Sequence, residues 1–68
     1  MFELKIIKEN GNEELRHIGY DANVCRTDLP PGVKAIVYDP NYPQKSFEIL
    51  MEDKAYVVNS SGKTQVVV

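Results

Sequence analysis

Sixty-eight residues make one domain, near the size below which a hydrophobic core needs disulfides, metals or partners to support it. A formal charge of −2, from eight basic and ten acidic residues, leaves no electrostatic footprint for nucleic acid and is too mild for a mimic of it. Cys25 is the single cysteine, which excludes an intrachain disulfide and an all-cysteine metal site and makes the cytoplasm the expected compartment.

The chain begins with Phe2, Leu4 and Ile6 alternating with Glu3, Lys5 and Ile7, the period of two that marks a half-buried strand. Charges inside this run argue against a signal peptide, and no apolar stretch reaches the roughly 20 residues of a membrane span. Asn10-Gly11-Asn12 is the first turn. A three-residue loop there sets Leu4 opposite Ile18 and Phe2 opposite Tyr20, gathering all four on one face. Residues 12–22 also fit a helix, with Asn12 as cap, Glu13 and Glu14 in the first turn, and Leu15, Ile18, Gly19 and Ala22 at helical spacing. A strand from Glu14 to Tyr20 is preferred, because Asn-Gly between apolar runs is a strong hairpin signal.

Asp21 to Gly32 is patternless and ends in Leu29-Pro30-Pro31-Gly32, the chemistry of a connection. Val33 to Tyr38 carries little charge and reads as a central strand. Asp39-Pro40-Asn41-Tyr42-Pro43-Gln44 then makes a rigid, exposed turn. Phe47, Ile49 and Met51 form the next apolar row, and Ala55 to Val58 resumes the pattern after Glu52-Asp53. A helix through residues 47–58 competes, but Tyr56, Val57 and Val58 lose side-chain freedom in one. Asn59 to Lys63 is a hairpin turn with Gly62 in the left-handed region, pairing Val58 with Thr64, Tyr56 with Val66 and Ala55 with Val67. Residues 45–68 thus read as a three-stranded meander. The expected fold is all-β with at most one short helical turn: a small antiparallel, partly open barrel or bent sheet of five to six short strands. A β-grasp fold is disfavoured, since the prolines before Val33 leave no room for a long helix.

No constellation of reactive groups stands out. Cys25 and His17 could form a nucleophile and base, but no third group to orient them is identifiable, so no catalytic residue and no enzyme activity are expected. Asp21, Asp28, Asp39, Glu52 and Asp53 lack calcium-loop spacing, and one histidine cannot make a zinc site, so neither metal nor cofactor is expected. Ser60-Ser61-Gly62-Lys63 ends like a phosphate-binding loop without its upstream glycine or following helix. Asn59-Ser60-Ser61 matches a glycosylation sequon by chance.

The tyrosines are more informative. Tyr20, Tyr38 and Tyr56 fit strand positions with rings on the core, whereas Tyr42, between two prolines, fits an exposed contact residue. Tyr38, Asp39, Asn41, Tyr42 and Gln44 are therefore the expected binding surface. Thr64, Val66, Val67 and Val68 form a second candidate, an apolar strand without proline that either closes a barrel against Phe2 to Ile7 or pairs with another chain as an edge-strand or oligomer contact. The function these features favour is a non-enzymatic module that binds another protein by occupying its surface. Accessory and inhibitory proteins of phages and mobile elements share this size class. An oligomeric small-molecule binder and a phage structural component are the alternatives.

Overall fold

The computed structural model describes residues 1–68 and is all-β, with no helix. Seven strands form two antiparallel sheets: β1 (Phe2–Ile7), β2 (Glu13–Gly19), β6 (Lys54–Val58) and β7 (Thr64–Val66) in the order β2-β1-β6-β7, and β3 (Asn23–Cys25), β4 (Val33–Tyr38) and β5 (Ser46–Leu50) in the order β3-β4-β5. The helical alternatives for residues 12–22 and 47–58 are not adopted. With no helix, none is long and apolar enough to cross a membrane. The sheets do not close into a barrel. They face each other across one core, with Leu4, Ile6, Ile18, Ala55, Val57 and Val67 contributed by one side and Ala35, Val37 and Ile49 by the other.

Both hairpins of the larger sheet use one device. In Asn59 to Lys63 the Gly62 N–H donates to the Asn59 carbonyl at 3.0 Å and Gly62 takes a positive φ of 86°, which costs no steric clash without a Cβ. Residues 8–12 repeat the pattern: Gly11 donates to the Lys8 carbonyl at 2.9 Å with φ 89°. The first loop is thus Glu9-Asn10-Gly11, three residues long as expected but one position earlier. Leu4 lies opposite Arg16, not Ile18. A bulge then inserts Ile18 between the partners of Phe2 and Glu3 and turns it into the core, where it is 1% exposed. Tyr20 falls outside β2 and is 74% exposed, so it does not join Phe2, Leu4 and Ile18 on the core face.

The meander is half correct. β6 and β7 pair as expected, with Tyr56 opposite Val66 and Val58 opposite Thr64. β5 and β6 do not pair. The turn closed by Asp53 N–H to the Leu50 carbonyl (3.0 Å) carries the chain from one sheet to the other, leaving Met51 in the turn and exposed. Asp53 explains the crossing. It is buried, and its Oδ2 meets Lys8 Nζ of the chain leaving β1 at 2.6 Å, so the start of β6 is held beside β1. That bond raises the Lys8 pKa against the opposing effect of desolvation, with further help from the charges of Asp53, Glu14 and Glu52. β1 therefore lies between β2 and β6, and β7 cannot close a barrel against it: β7 is an edge. A three-residue β3 beside β4, in the stretch expected to be a bare connection, brings the count to seven rather than five or six.

Ile49 and Met51, one apolar row in the sequence, should separate on mutation. Ile49→Ala is expected to cost about 2–5 kcal/mol and Met51→Ala to stay within about 0.5 kcal/mol of wild type, both read by chemical denaturation.

Candidate functional site

In β4 the odd-numbered residues Val33, Ala35 and Val37 are buried, and the next position on that face is Asp39, also fully buried. A carboxylate there must be satisfied by hydrogen bonds. Oδ1 accepts the Asn41 backbone N–H at 2.8 Å and its side-chain amide at 3.2 Å, while Oδ2 accepts the N–H groups of Tyr20 at 3.1 Å and Asp21 at 3.4 Å. One side chain thus ties the start of the β4–β5 loop to the chain leaving β2, across the two sheets.

Gly19 makes this possible. A Cβ there would overlap the Asp39 carboxylate, and Gly19 has a φ of 149°, which L side chains rarely adopt. The Tyr20 and Asp21 backbones turn toward Asp39 and the Tyr20 ring points outward. Across from it the loop is two successive turns. Tyr42 N–H donates to the Asp39 carbonyl at 2.9 Å and Lys45 N–H to the Tyr42 carbonyl at 3.0 Å, each turn with proline in its second position. Tyr42 is the residue the two turns share and is 46% exposed.

Between Tyr20 and Tyr42 lies a cleft of about 220 Å³, lined by Met1, His17, Ile18 and Gly19 on one side and Gln44 and Lys45 on the other. Its wall is predominantly apolar. His17 Nδ1 lies 3.3 Å from a Glu3 carboxylate oxygen, a contact on the outer face of β1 and β2. The arrangement offers two amphipathic rings on a braced frame, with an amide and an ammonium group at the rim. It can receive an apolar side chain and hydrogen-bond the groups around it.

Of the expected loop surface, Tyr42 and Gln44 line the cleft. Asn41 is exposed but turned inward by its bonds to Asp39, Tyr38 is half-buried, and Asp39 supports the loop from below. Tyr20 was expected on the core and stands at the cleft; Tyr38 and Tyr56 are half-buried. Thr64 and Val66 are exposed on the edge strand, Val67 is buried and Val68 half-buried. Cys25 and His17 lie on different sheets, and the thiol donates to the Thr27 carbonyl at 3.3 Å. No three histidine, cysteine or carboxylate side chains converge on one point. Compared with protein-family models, curated proteins and solved structures, the chain matches none of them.

Asp39 is held below its ordinary pKa, first by the Asn41 backbone N–H and then by those of Asp21 and Tyr20 and the Asn41 side chain, against desolvation, which acts upward. A carboxyl group whose pKa is lower folded than unfolded stabilises the fold fully above its unfolded value of about 4, and the contribution fades as pH falls through the folded value. Asp39→Asn should lower the thermal midpoint at pH 7 and flatten the midpoint-against-pH curve below about pH 4. Gly19→Ala should destabilise at every pH, because the new methyl group displaces the carboxylate.

Proposed function

We propose that this chain is a non-enzymatic protein-binding module, accessory or inhibitory in role, which occupies a partner surface with Tyr20 and Tyr42 as paired anchors. The observation that carries this reading is the exposure of both rings, 74% and 46%, on backbone braced by one buried residue, Asp39, whose carboxylate accepts the Tyr20 and Asn41 N–H groups and whose main-chain carbonyl accepts that of Tyr42. Exposed aromatic rings cost solvation, and a braced loop loses little entropy on binding, which is the combination that makes recognition anchors effective. An apolar partner side chain entering between the rings, with Gln44 and Lys45 meeting polar groups at the rim, fits the lining. A small molecule in this cleft is less favoured, since its 220 Å³ falls below the roughly 300–1,000 Å³ of ligand pockets.

The test is affinity capture from the native host with the wild-type chain as bait, followed by calorimetric titration of the captured protein. Tyr42→Ala and Tyr20→Ala should each weaken that binding by about 2 kcal/mol or more, roughly 30-fold, the scale of an interface anchor. Leu15→Ala, exposed on the outer face of β2, should leave it unchanged. Unaltered affinity in both tyrosine variants, with thermal midpoints intact, contradicts the reading.

A further inference from the structure

β7 is the edge of the larger sheet, and its hydrogen-bonding pattern is self-complementary. Asn59 N–H donates to the Lys63 carbonyl and Val67 N–H to the Ala55 carbonyl, both at 3.0 Å, so in this antiparallel register Lys63, Gln65 and Val67 face β6. The backbone groups of Thr64 and Val66 point away from the sheet. Beyond them the chain turns back: Ala55 N–H donates to the Val68 carbonyl at 3.3 Å, and Arg26 at the end of β3 caps the Val67 carbonyl at 2.7 Å. The free edge is therefore a short unit of two donors and two acceptors, with Thr64, Gln65 and Val66 all exposed and Val66 66% so.

We propose that β7 pairs with β7 of a second copy of this chain about a two-fold axis at Gln65. Thr64 of each copy then exchanges both backbone hydrogen bonds with Val66 of the other, Gln65 faces Gln65, and Lys63 faces Val67. All four free donors of the pair are matched by four free acceptors, and no like charges meet. At the midpoints of the two longer edges the same operation is less favourable: on β2 it sets Arg16 against Arg16, and on β5 Glu48 against Glu48, each a repulsive cross-strand pair. β2 is further blunted by its bulge and its charged side chains. The product is a closed dimer with one continuous eight-stranded sheet, in which β7 has lost its open edge.

This pairing stands independently of the cleft, but it adds a consequence to the binding proposal. β2 carries the cleft at the far edge of each sheet, so the two clefts lie about seven strand spacings, roughly 34 Å, apart. A dimer of that shape is a bivalent binder for a partner that is itself repeated or two-fold symmetric.

Sedimentation equilibrium of the full chain from about 10 μM to 1 mM, the range in which a small interface becomes populated, tests the pairing without reference to any partner. Wild type should approach twice the 7.7 kDa chain mass. Gln65→Arg and Gln65→Glu, exposed substitutions that leave the β6 ladder intact, should each weaken self-association at least tenfold, and an equimolar mixture of the two should restore it as a heterodimer. Thermal midpoints of both variants near wild type establish that they fold. A wild-type chain that stays monomeric at 1 mM, Gln65 variants that associate normally, or a mixture that fails to recover association each overturns the proposal.

Discussion

Asp39 has no cation beside it, yet it is charged and buried at the meeting point of the two sheets. Its carboxylate is kept ionised by N–H groups alone, three from the backbone and one from the Asn41 amide. Such a group is tolerable in an interior only when its hydrogen bonds are made. The positions of the β2 exit and the β4–β5 loop follow from that requirement: the chain must bring Tyr20, Asp21 and Asn41 to one point. Gly19 gives the room, Pro40 and Pro43 fix the turns, and the two tyrosines end outside because their backbones are committed inside.

Lys8 and Asp53 act similarly at the opposite end of the larger sheet. Their contact braces the start of β6 beside β1, and it leaves Asp53 Oδ1 buried with no partner in the protein. The raised Lys8 pKa means that this contribution is complete below the ordinary lysine value and is lost as pH rises through the folded one. A domain with so small a core relies on a few polar contacts of this kind to choose one arrangement of strands, since hydrophobic burial alone is indifferent to which apolar strand lies beside which.

The division between what could and could not be read from the residues follows the same line. Alternation identifies β1 and β5, because a sheet with one buried face imposes a period of two whatever its neighbours are, and low charge with β-branched and aromatic residues identifies β4 and β6. The glycine rule that set the register of the second hairpin would have set the first, had the left-handed position been assigned to Gly11 as it was to Gly62; centring the loop on Asn10–Asn12 shifted the whole of β2. Strand order was out of reach of local pattern. Glu52-Asp53 looks like a hairpin turn, but β6 pairs with the distant β1 and Asp53 meets Lys8 there, so the turn is a crossing between sheets. At the site, Tyr42 was legible from its flanking prolines. Tyr20 was not, because its exposure depends on a carboxylate 19 positions away. Asp39 continues the parity of Val33, Ala35 and Val37, and that parity in the sequence marks it as inward-facing.

The dependence of the site on Asp39 is tested most directly by an NMR pH titration that follows the Asp39 side-chain carboxyl carbon together with the backbone amides of Tyr20, Asp21 and Asn41. The expected result is a carboxyl titrating below the ordinary range of about 4, with the three amides moving at the same midpoint as their acceptor is protonated. An Asp39 carboxyl titrating at the ordinary value, with those amides unmoved, would contradict the role given to it here.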